Sequence, residues 1–324
     1  MKSPWKALLP AGLITGAAAY AGHRRGLDAG EMVRGLPTVF LLLAGFFVLA
    51  RPEIVGRLSH WIRRDFPRRA VLAIQVFLFP YLLYSWLLDC FSPGGFVRLF
   101  LYLNLPMMVL LAGERWNLLR WTDGVALLLV WLPLELRLLG PLWPWPPGQS
   151  GHFLFGLLGV SLAVFLFVVT REMTEVGYTF SIRGRDLGLA VLAFALFAPV
   201  ATGIGLLTGF LHPARHLPSL LPSAGKILGI FLASGVPEEL LFRGLLQNLI
   251  LRWTSSPAVS VALASIIFGA AHLNNGPHPD ARYFLLATLA GVVYGLVYRR
   301  SGTLMAPAMT HTLVNSAWAL FFRG

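Results

Sequence analysis

Apolar runs recur along almost the whole chain, and short polar connections separate them. The runs fall at 7–21, 36–50, 70–91, 99–113, 125–140, 152–169, 189–211, 226–250, 258–273, 283–298 and 303–322. A helix that crosses a bilayer needs roughly 20 apolar residues. Strands are not expected, because an open strand edge in lipid leaves backbone groups unpaired. The pattern predicts an all-α, polytopic transmembrane helical bundle with about eight to eleven membrane segments.

One polar segment, 51–69, has a pattern of its own. It reads RPEIVGRLSHWIRRDFPRR, and Ile54, Leu58, Trp61 and Ile62 recur in it at helical spacing, with arginines on the other side. Such a pattern is typical of a helix that lies on a membrane surface. We therefore predict a basic interfacial helix on the cytoplasmic side, in preference to an ordinary charged loop.

A second polar connection, 171–186, separates the earlier apolar runs from the later ones. We expect an N-terminal transmembrane region at 1–170, which includes the basic helix near 51–69, and a distinct core at 189–322.

The composition narrows the class of protein. Hydrophobic residues make up 56% of the chain, charged residues make up 12%, and the mean hydropathy is +0.70. Because a soluble domain carries about 25% charged residues, we expect an integral, multi-pass protein of a prokaryotic cell membrane, with lipid as its solvent. The net charge of +12 is spread over short connections, where it suits lipid headgroups, so no nucleic-acid partner is expected.

Ionisable residues within the last apolar runs stand out, because such residues are costly in a membrane and usually functional. The first group lies in GVPEELLFRG at 235–244, where Pro237 marks either a helix start or a kink in a longer helix. Glu239 and Arg243 are four residues apart and share a helix face. Glu238 is rotated by ~100° from Glu239. We predict that Arg243 fixes Glu239, while Glu238 projects towards a cavity as the reactive carboxylate.

Two further groups follow in the next apolar runs. Small residues at 269–271 allow close helix contact, and His272 comes directly after them. His311 and Asn315 are four residues apart and face the same way. Either group alone is more typical of a structural clasp, but three such groups in adjacent apolar segments favour one site between packed helices.

These motifs, in this order, resemble those of the family of intramembrane proteases that unites CAAX-box proteases with bacteriocin-processing and immunity enzymes, also called CPBP or Abi proteases. The likeness covers about 226–319 and weakens towards 189. It implies a protease core at 189–322 and an intramembrane endopeptidase that acts on a peptide or a membrane-associated protein.

The resemblance also implies roles for the site residues. Glu238 and His272 would activate a water molecule, His311 and Asn315 would donate hydrogen bonds to the oxyanion, and Glu239 with Arg243 would support the geometry. No cofactor is required on this interpretation. Three alternatives stay open: a zinc protease with Glu238, His272 and His311 as ligands, a transporter, and a non-catalytic immunity or scaffold protein.

Overall fold

The computed structural model describes residues 7–116, 118–146, 150–214, 219–273, 275–276 and 278–323. The chain divides into two compact units, 1–173 and 174–324, and each is described by itself. The functional division into 1–170 and 189–322 stays a prediction.

Helices form most of the N-terminal unit. They are α1 (Leu8–Arg24), α2 (Ala29–Val48), α3 (Pro52–Arg63), α4 (Arg68–Ile74), α5 (Phe79–Leu87), α6 (Pro93–Trp116), α7 (Leu119–Glu135) and α8 (Ser150–Ala163). A 3-10 turn at Gln75–Leu78 joins α4 to α5, another lies at Gly140–Leu142, and a π-helical segment at Val164–Thr170 continues α8.

Helix α3 occupies the segment in which the basic interfacial helix was predicted. Its inner face is fixed by Ile62, which is fully buried, and by two polar contacts to the end of the π-helical segment. Ser59 donates to the Val169 carbonyl at 2.9 Å, and Arg63 donates to the Thr170 carbonyl at 3.0 Å. Trp61 remains exposed, as a membrane-surface helix requires, but the placement at a surface stays a prediction.

A buried cluster of charges, here called the Arg171 cluster, consists of Arg171, Asp123 and Glu114. The Arg171 guanidinium donates to Asp123 at 2.9 Å, to Glu114 at 3.0 Å and to the Leu110 carbonyl at 2.9 Å. It therefore ties the end of the π-helical segment to α6 and α7.

The C-terminal unit is also helical. Its helices are α9 (Gly184–Leu207), α10 (Leu220–Ile230), α11 (Val236–Glu239), α12 (Asn248–Thr254), α13 (Pro257–Ala271), α14 (Ala281–Ser301) and α15 (Met305–Phe321). A 3-10 turn lies at Thr174–Val176, and the two-residue strands β1 (His212–Pro213) and β2 (Phe322–Arg323) pair antiparallel.

Two π-helical segments, Phe231–Gly235 and Leu240–Gln247, join α10, α11 and α12. One helix, here called the long helix, therefore runs from 220 to 254, and Pro237 lies inside it. Of the two alternatives for Pro237, a helix start is wrong. The missing proline N–H is accommodated where the hydrogen-bond ladder already departs from α-helical spacing, as π-bulges allow.

Small residues bring the helices of this unit close together. A Cβ atom on Gly269 of α13 would lie 2.0 Å from the Thr288 Oγ1 of α14, and one on Gly235 would lie 2.5 Å from the Thr312 Oγ1 of α15. Neither position has room for a side chain. The close contact expected at 269–271 is present, and it sets α14 against α13.

Within the described residues, six helices are long and apolar enough to cross a membrane: Ala29–Val48, Arg68–Leu87, Pro93–Trp116, Gly151–Thr170, Gly184–Leu207 and Ala281–Ser301. These confirm the all-α class and the multi-pass helical membrane protein. Helices α1, α7 and α15 have 17 residues each, at the lower limit of about 17 for a span. The count of eight to eleven segments stays a prediction.

Candidate active site

An ion pair is completely buried at the centre of the C-terminal unit. Glu239 and Arg243 are 0% and 1% exposed, and Arg243 Nη1 lies 2.9 Å from Glu239 Oε1. This is the contact that their spacing predicted. Arg243 also donates to the Gly291 carbonyl of α14 at 3.3 Å. Burial of such a pair is tolerable because each charge has a partner and further hydrogen bonds.

His311 extends this pair to α15. Its Nδ1 lies 2.8 Å from Glu239 Oε1. Because a carboxylate only accepts hydrogen bonds, Nδ1 carries the proton and donates it to Glu239. Arg243, Glu239 and His311, here called the Arg243 cluster, therefore form one chain of charge-assisted hydrogen bonds. The link from Glu239 to His311 was not predicted from the sequence.

Aromatic rings enclose the Arg243 cluster. The guanidinium carbon of Arg243 lies 4.2 Å from the centroid of Phe268 and 5.2 Å from that of Tyr294, in cation–π contact with both. Tyr294 also stacks on the imidazole of His311, with centroids 4.8 Å apart and an interplanar angle of 17°. The planes of the Arg243 guanidinium and the His311 imidazole are fixed by packing as well as by hydrogen bonds.

Glu238 lies beside this cluster and is oriented by a neighbour on its own helix. Its Oε1 accepts a hydrogen bond from the Ser234 hydroxyl, one turn earlier. Its Oε2 is buried and has no hydrogen-bond partner among the described residues. That oxygen lies 3.7 Å from His272 Nε2 and 3.9 Å from His311 Nε2, so the three predicted groups converge.

The hydrogen bonds made by Nδ1 of each histidine determine whether its Nε2 donates or accepts a hydrogen bond. His272 Nδ1 lies 2.8 Å from the Phe268 carbonyl oxygen, which can only accept, so this nitrogen carries the proton. In neutral His272 and neutral His311, Nε2 is consequently an acceptor. Three acceptors thus face one another: Glu238 Oε2 and the two Nε2 atoms.

Asn315 completes the set of predicted residues. Its side-chain nitrogen lies 3.0 Å from His311 Nε2 and 3.4 Å from Ser234 Oγ. An amide nitrogen donates two hydrogens, and here one is directed to each of these atoms. His311 and Asn315 are therefore bonded to each other, and their role as paired oxyanion donors stays a prediction.

A small, open chamber adjoins the cluster, and its wall is mostly apolar. His272, His311 and Asn315 line it, together with Tyr294 and with Phe197 of α9. Glu238 is not a lining residue, and its Oε2 lies next to the two histidines that are. The six predicted site residues are linked by contacts, and three of them line this chamber.

The zinc alternative can be compared with this arrangement. Over the described part of the chain, no group of three or more His, Cys, Asp or Glu side chains is placed to hold a metal ion. His311 Nε2 also faces the Asn315 amide at 3.0 Å, which opposes the use of its lone pair for a metal. The residues as arranged do not fit a zinc site, and metal independence stays a prediction.

Sequence reasoning missed two residues of the site. Ser234 is four residues before Glu238, so helical spacing could have indicated their contact. Tyr294 carries no such signal, because it reaches His311 only through the packing of α14 against α15.

Fold and site together define a helical integral membrane protein with a buried cluster of carboxylate, histidine and amide groups beside an apolar chamber. Residues 220–317 match the family model described as type II CAAX prenyl endopeptidase Rce1-like. The matched region contains all six predicted site residues, and it confirms the resemblance that the motifs indicated.

Part of the chain is also similar to curated membrane proteins of another description, "Putative manganese efflux pump MntP". The protein of Bacillus thuringiensis (strain Al Hakam) is 33% identical over 26% of this chain and 44% of its own length. That of Bacillus cereus (strain G9842) is 31% identical over 29% of this chain and 49% of its own length. The chain thus spans about half the length of these relatives. No solved structure matches the chain.

Proposed function

We propose that the protein is an intramembrane endopeptidase that hydrolyses a peptide bond with a water molecule activated by Glu238. The observation that carries the proposal is the convergence of three acceptor atoms, Glu238 Oε2 and the Nε2 atoms of His272 and His311, at separations of 3.7 and 3.9 Å. The Rce1-like match of residues 220–317 supports the same class of reaction.

Two facing acceptors suit a water molecule. Glu238 Oε2 and His272 Nε2 cannot bond to each other directly, but water has two O–H groups and can donate one to each. So held, its lone pairs point away from both acceptors and towards a substrate carbonyl in the chamber. Glu238 takes the water proton as the new C–O bond forms, which is general-base catalysis.

The tetrahedral intermediate then carries its negative charge on the former carbonyl oxygen. Asn315 can donate to that oxyanion by exchanging its long contact with Ser234, 3.4 Å, for the substrate oxygen. The hydrogen directed to His311 keeps the amide in place. As the C–N bond breaks, Glu238 returns its proton to the leaving nitrogen, and one water is consumed for each bond cleaved.

Glu239 and Arg243 act as positioning residues in this scheme. Glu239 holds the Nδ1 proton of His311, so that His311 Nε2 accepts from Asn315. Arg243 holds the Glu239 carboxylate in place through their ion pair. The apolar chamber beside them suits a substrate that presents apolar side chains, either as a peptide or as part of a membrane-associated protein.

The test compares protein termini in membranes of cells that express the wild-type chain or Glu238→Gln. Termini that appear only with the wild type are expected, because glutamine keeps the shape of Glu238 but cannot take a proton. Glu175→Gln is the matched control, since Glu175 is a half-exposed glutamate of the same unit, paired with Arg252. Equal sets of termini from wild type and Glu238→Gln would refute the protease and leave an immunity or scaffold role.

Metal independence has its own test. Cleavage by the purified protein is expected to continue after dialysis against a strong chelator, because the proposed steps use only side chains and water. Bound zinc in a 1:1 ratio, with loss of cleavage on its removal and recovery on its return, would instead establish the zinc alternative.

Transport of a divalent cation is a second candidate, favoured by the partial similarity to manganese efflux pumps. If the chain exports manganese, its expression in a manganese-sensitive host should raise tolerance to the ion, and vesicles should move labelled manganese. Transport without any Glu238-dependent termini would favour this candidate over the protease.

A further inference from the structure

Tyr294 packs against the Arg243 cluster, and its hydroxyl has no role in the mechanism proposed above. It lies in the middle of α14, is 1% exposed overall, and lines the chamber. Its hydroxyl makes no hydrogen bond to the described residues, and the hydroxyl oxygen is not completely buried. The hydroxyl therefore opens onto the chamber. A polar group so placed in an apolar wall calls for a partner that binds there.

The donors of the other predicted site residues at the chamber wall are already engaged. His272 and His311 donate their Nδ1 protons to Phe268 and Glu239. The Asn315 amide is directed to His311 and Ser234. The second tyrosine of the wall, Tyr283, has a side-chain hydrogen bond with Asn275. Tyr294, which packs against His311, adds a hydroxyl donor that none of these contacts uses.

We propose that the Tyr294 hydroxyl donates a hydrogen bond to the oxyanion of the tetrahedral intermediate, as a second donor beside Asn315. This inference rests on the proposed peptidase function. The Tyr294 ring lies parallel to the His311 imidazole, with centroids 4.8 Å apart. The stack therefore holds Tyr294 beside His311, the residue that orients Asn315. A preorganised donor of this kind in a water-poor site stabilises developing charge more than the neutral carbonyl.

The role predicts a particular kinetic signature. Tyr294→Phe keeps the ring, the stack on His311 and the contact with Arg243, and removes only the oxygen. Loss of one oxyanion donor lowers kcat by roughly 10²–10³-fold, and KM should change little because the ground-state carbonyl gains less from the bond. A purely structural role of the ring would leave kcat of Tyr294→Phe unchanged.

Tyr298→Phe provides a matched control one turn further along the same helix. The Tyr298 hydroxyl accepts from Asn248 at 2.8 Å and donates to the Glu175 carbonyl at 2.7 Å. Its loss should lower thermal stability while leaving kcat within about twofold, because the bond removed is a structural one. Tyr294→Phe should therefore lower kcat, whereas Tyr298→Phe should lower thermal stability.

The experiment uses the full chain in lipid nanodiscs and a peptide that spans a Glu238-dependent cleavage site found in the comparison of termini. A kcat for Tyr294→Phe that is lower by 10-fold or more at an unchanged KM, with a near-normal kcat for Tyr298→Phe, is the expected result. Cleavage by Tyr294→Phe at the wild-type rate would overturn this inference and leave the peptidase standing. Absence of any Glu238-dependent site would overturn both.

Discussion

Each unit buries an arginine against acidic side chains, and the two arginines are used differently. In the Arg171 cluster the guanidinium is shared between two carboxylates and a carbonyl, and the cluster ties three helical segments together. In the Arg243 cluster, hydrogen bonds connect Arg243 through Glu239 to His311, and His311 lines the chamber. Charges inside a membrane protein are functional candidates by default, and the second cluster adjoins a chamber where a substrate could bind.

Replacement of Glu238 should have the largest effect on activity. Glu238→Gln removes the general base, and such groups contribute roughly 10²–10⁴-fold to a rate. The folded state should be retained, because Glu238 Oε2 has no partner to lose. Turnover and thermal denaturation in nanodiscs measure the two effects. A large loss of stability would mean that Glu238 is a structural residue like Asp123.

Removal of Arg243 should damage both fold and activity. Arg243→Met leaves Glu239 buried without its cation, and breaking a buried pair costs about 3–5 kcal/mol. The loss should appear as a lower denaturation temperature and as reduced cleavage per folded molecule, since His311 loses its orientation. The double variant Arg243→Met with Glu239→Leu should recover stability without recovering cleavage.

Removal of Arg171 should damage the fold alone. Arg171→Met breaks charged hydrogen bonds, each worth about 1.5–3 kcal/mol when buried. The value is discounted for Glu114, whose side chain is 30% exposed. A lower denaturation temperature with normal cleavage per folded molecule is expected. A specific loss of cleavage would break the contrast between the two clusters.

The smallest effect is expected at Ser234. Ser234→Ala removes the donor to Glu238 Oε1 and the second acceptor of Asn315. A hydrogen bond to a carboxylate contributes about 1.5–3 kcal/mol, so the rate should fall by roughly 10–100-fold, less than for Glu238→Gln. Ser234→Thr keeps the hydroxyl and should retain most of the activity. A fall as large as that of Glu238→Gln would show that the serine itself takes part in the chemistry.

Local spacing along a helix accounts for what the sequence could predict of the site. The Glu239–Arg243 contact and the Asn315–His311 contact are both four residues apart, and helical geometry brings such residues together. The bond between His311 and Glu239, and the stack of Tyr294 on His311, depend on how three helices pack. No spacing along the chain encodes those contacts.

For the fold, too, local sequence patterns predicted the helices but not the contacts between distant parts of the chain. Apolar runs located the helices, but they left open whether Pro237 begins a helix or lies inside a longer one, because proline can do either. The Arg171 cluster was also missed. Its arginine lies in a polar connection by sequence, and its acidic partners come from 48 and 57 residues away.

The π-helical segment before Glu238 has a consequence for the rotational phase of the long helix. A π-bulge is equivalent to one extra residue in an α-helix, and each residue turns the helix by about 100°. Deleting one residue within Phe231–Gly235 would restore regular winding ahead of Pro237. It would also turn Glu238, Glu239 and Arg243 together relative to the preceding turns. The π-bulge thus sets the rotation of the following residues about the helix axis, and with it the direction in which the two carboxylates point.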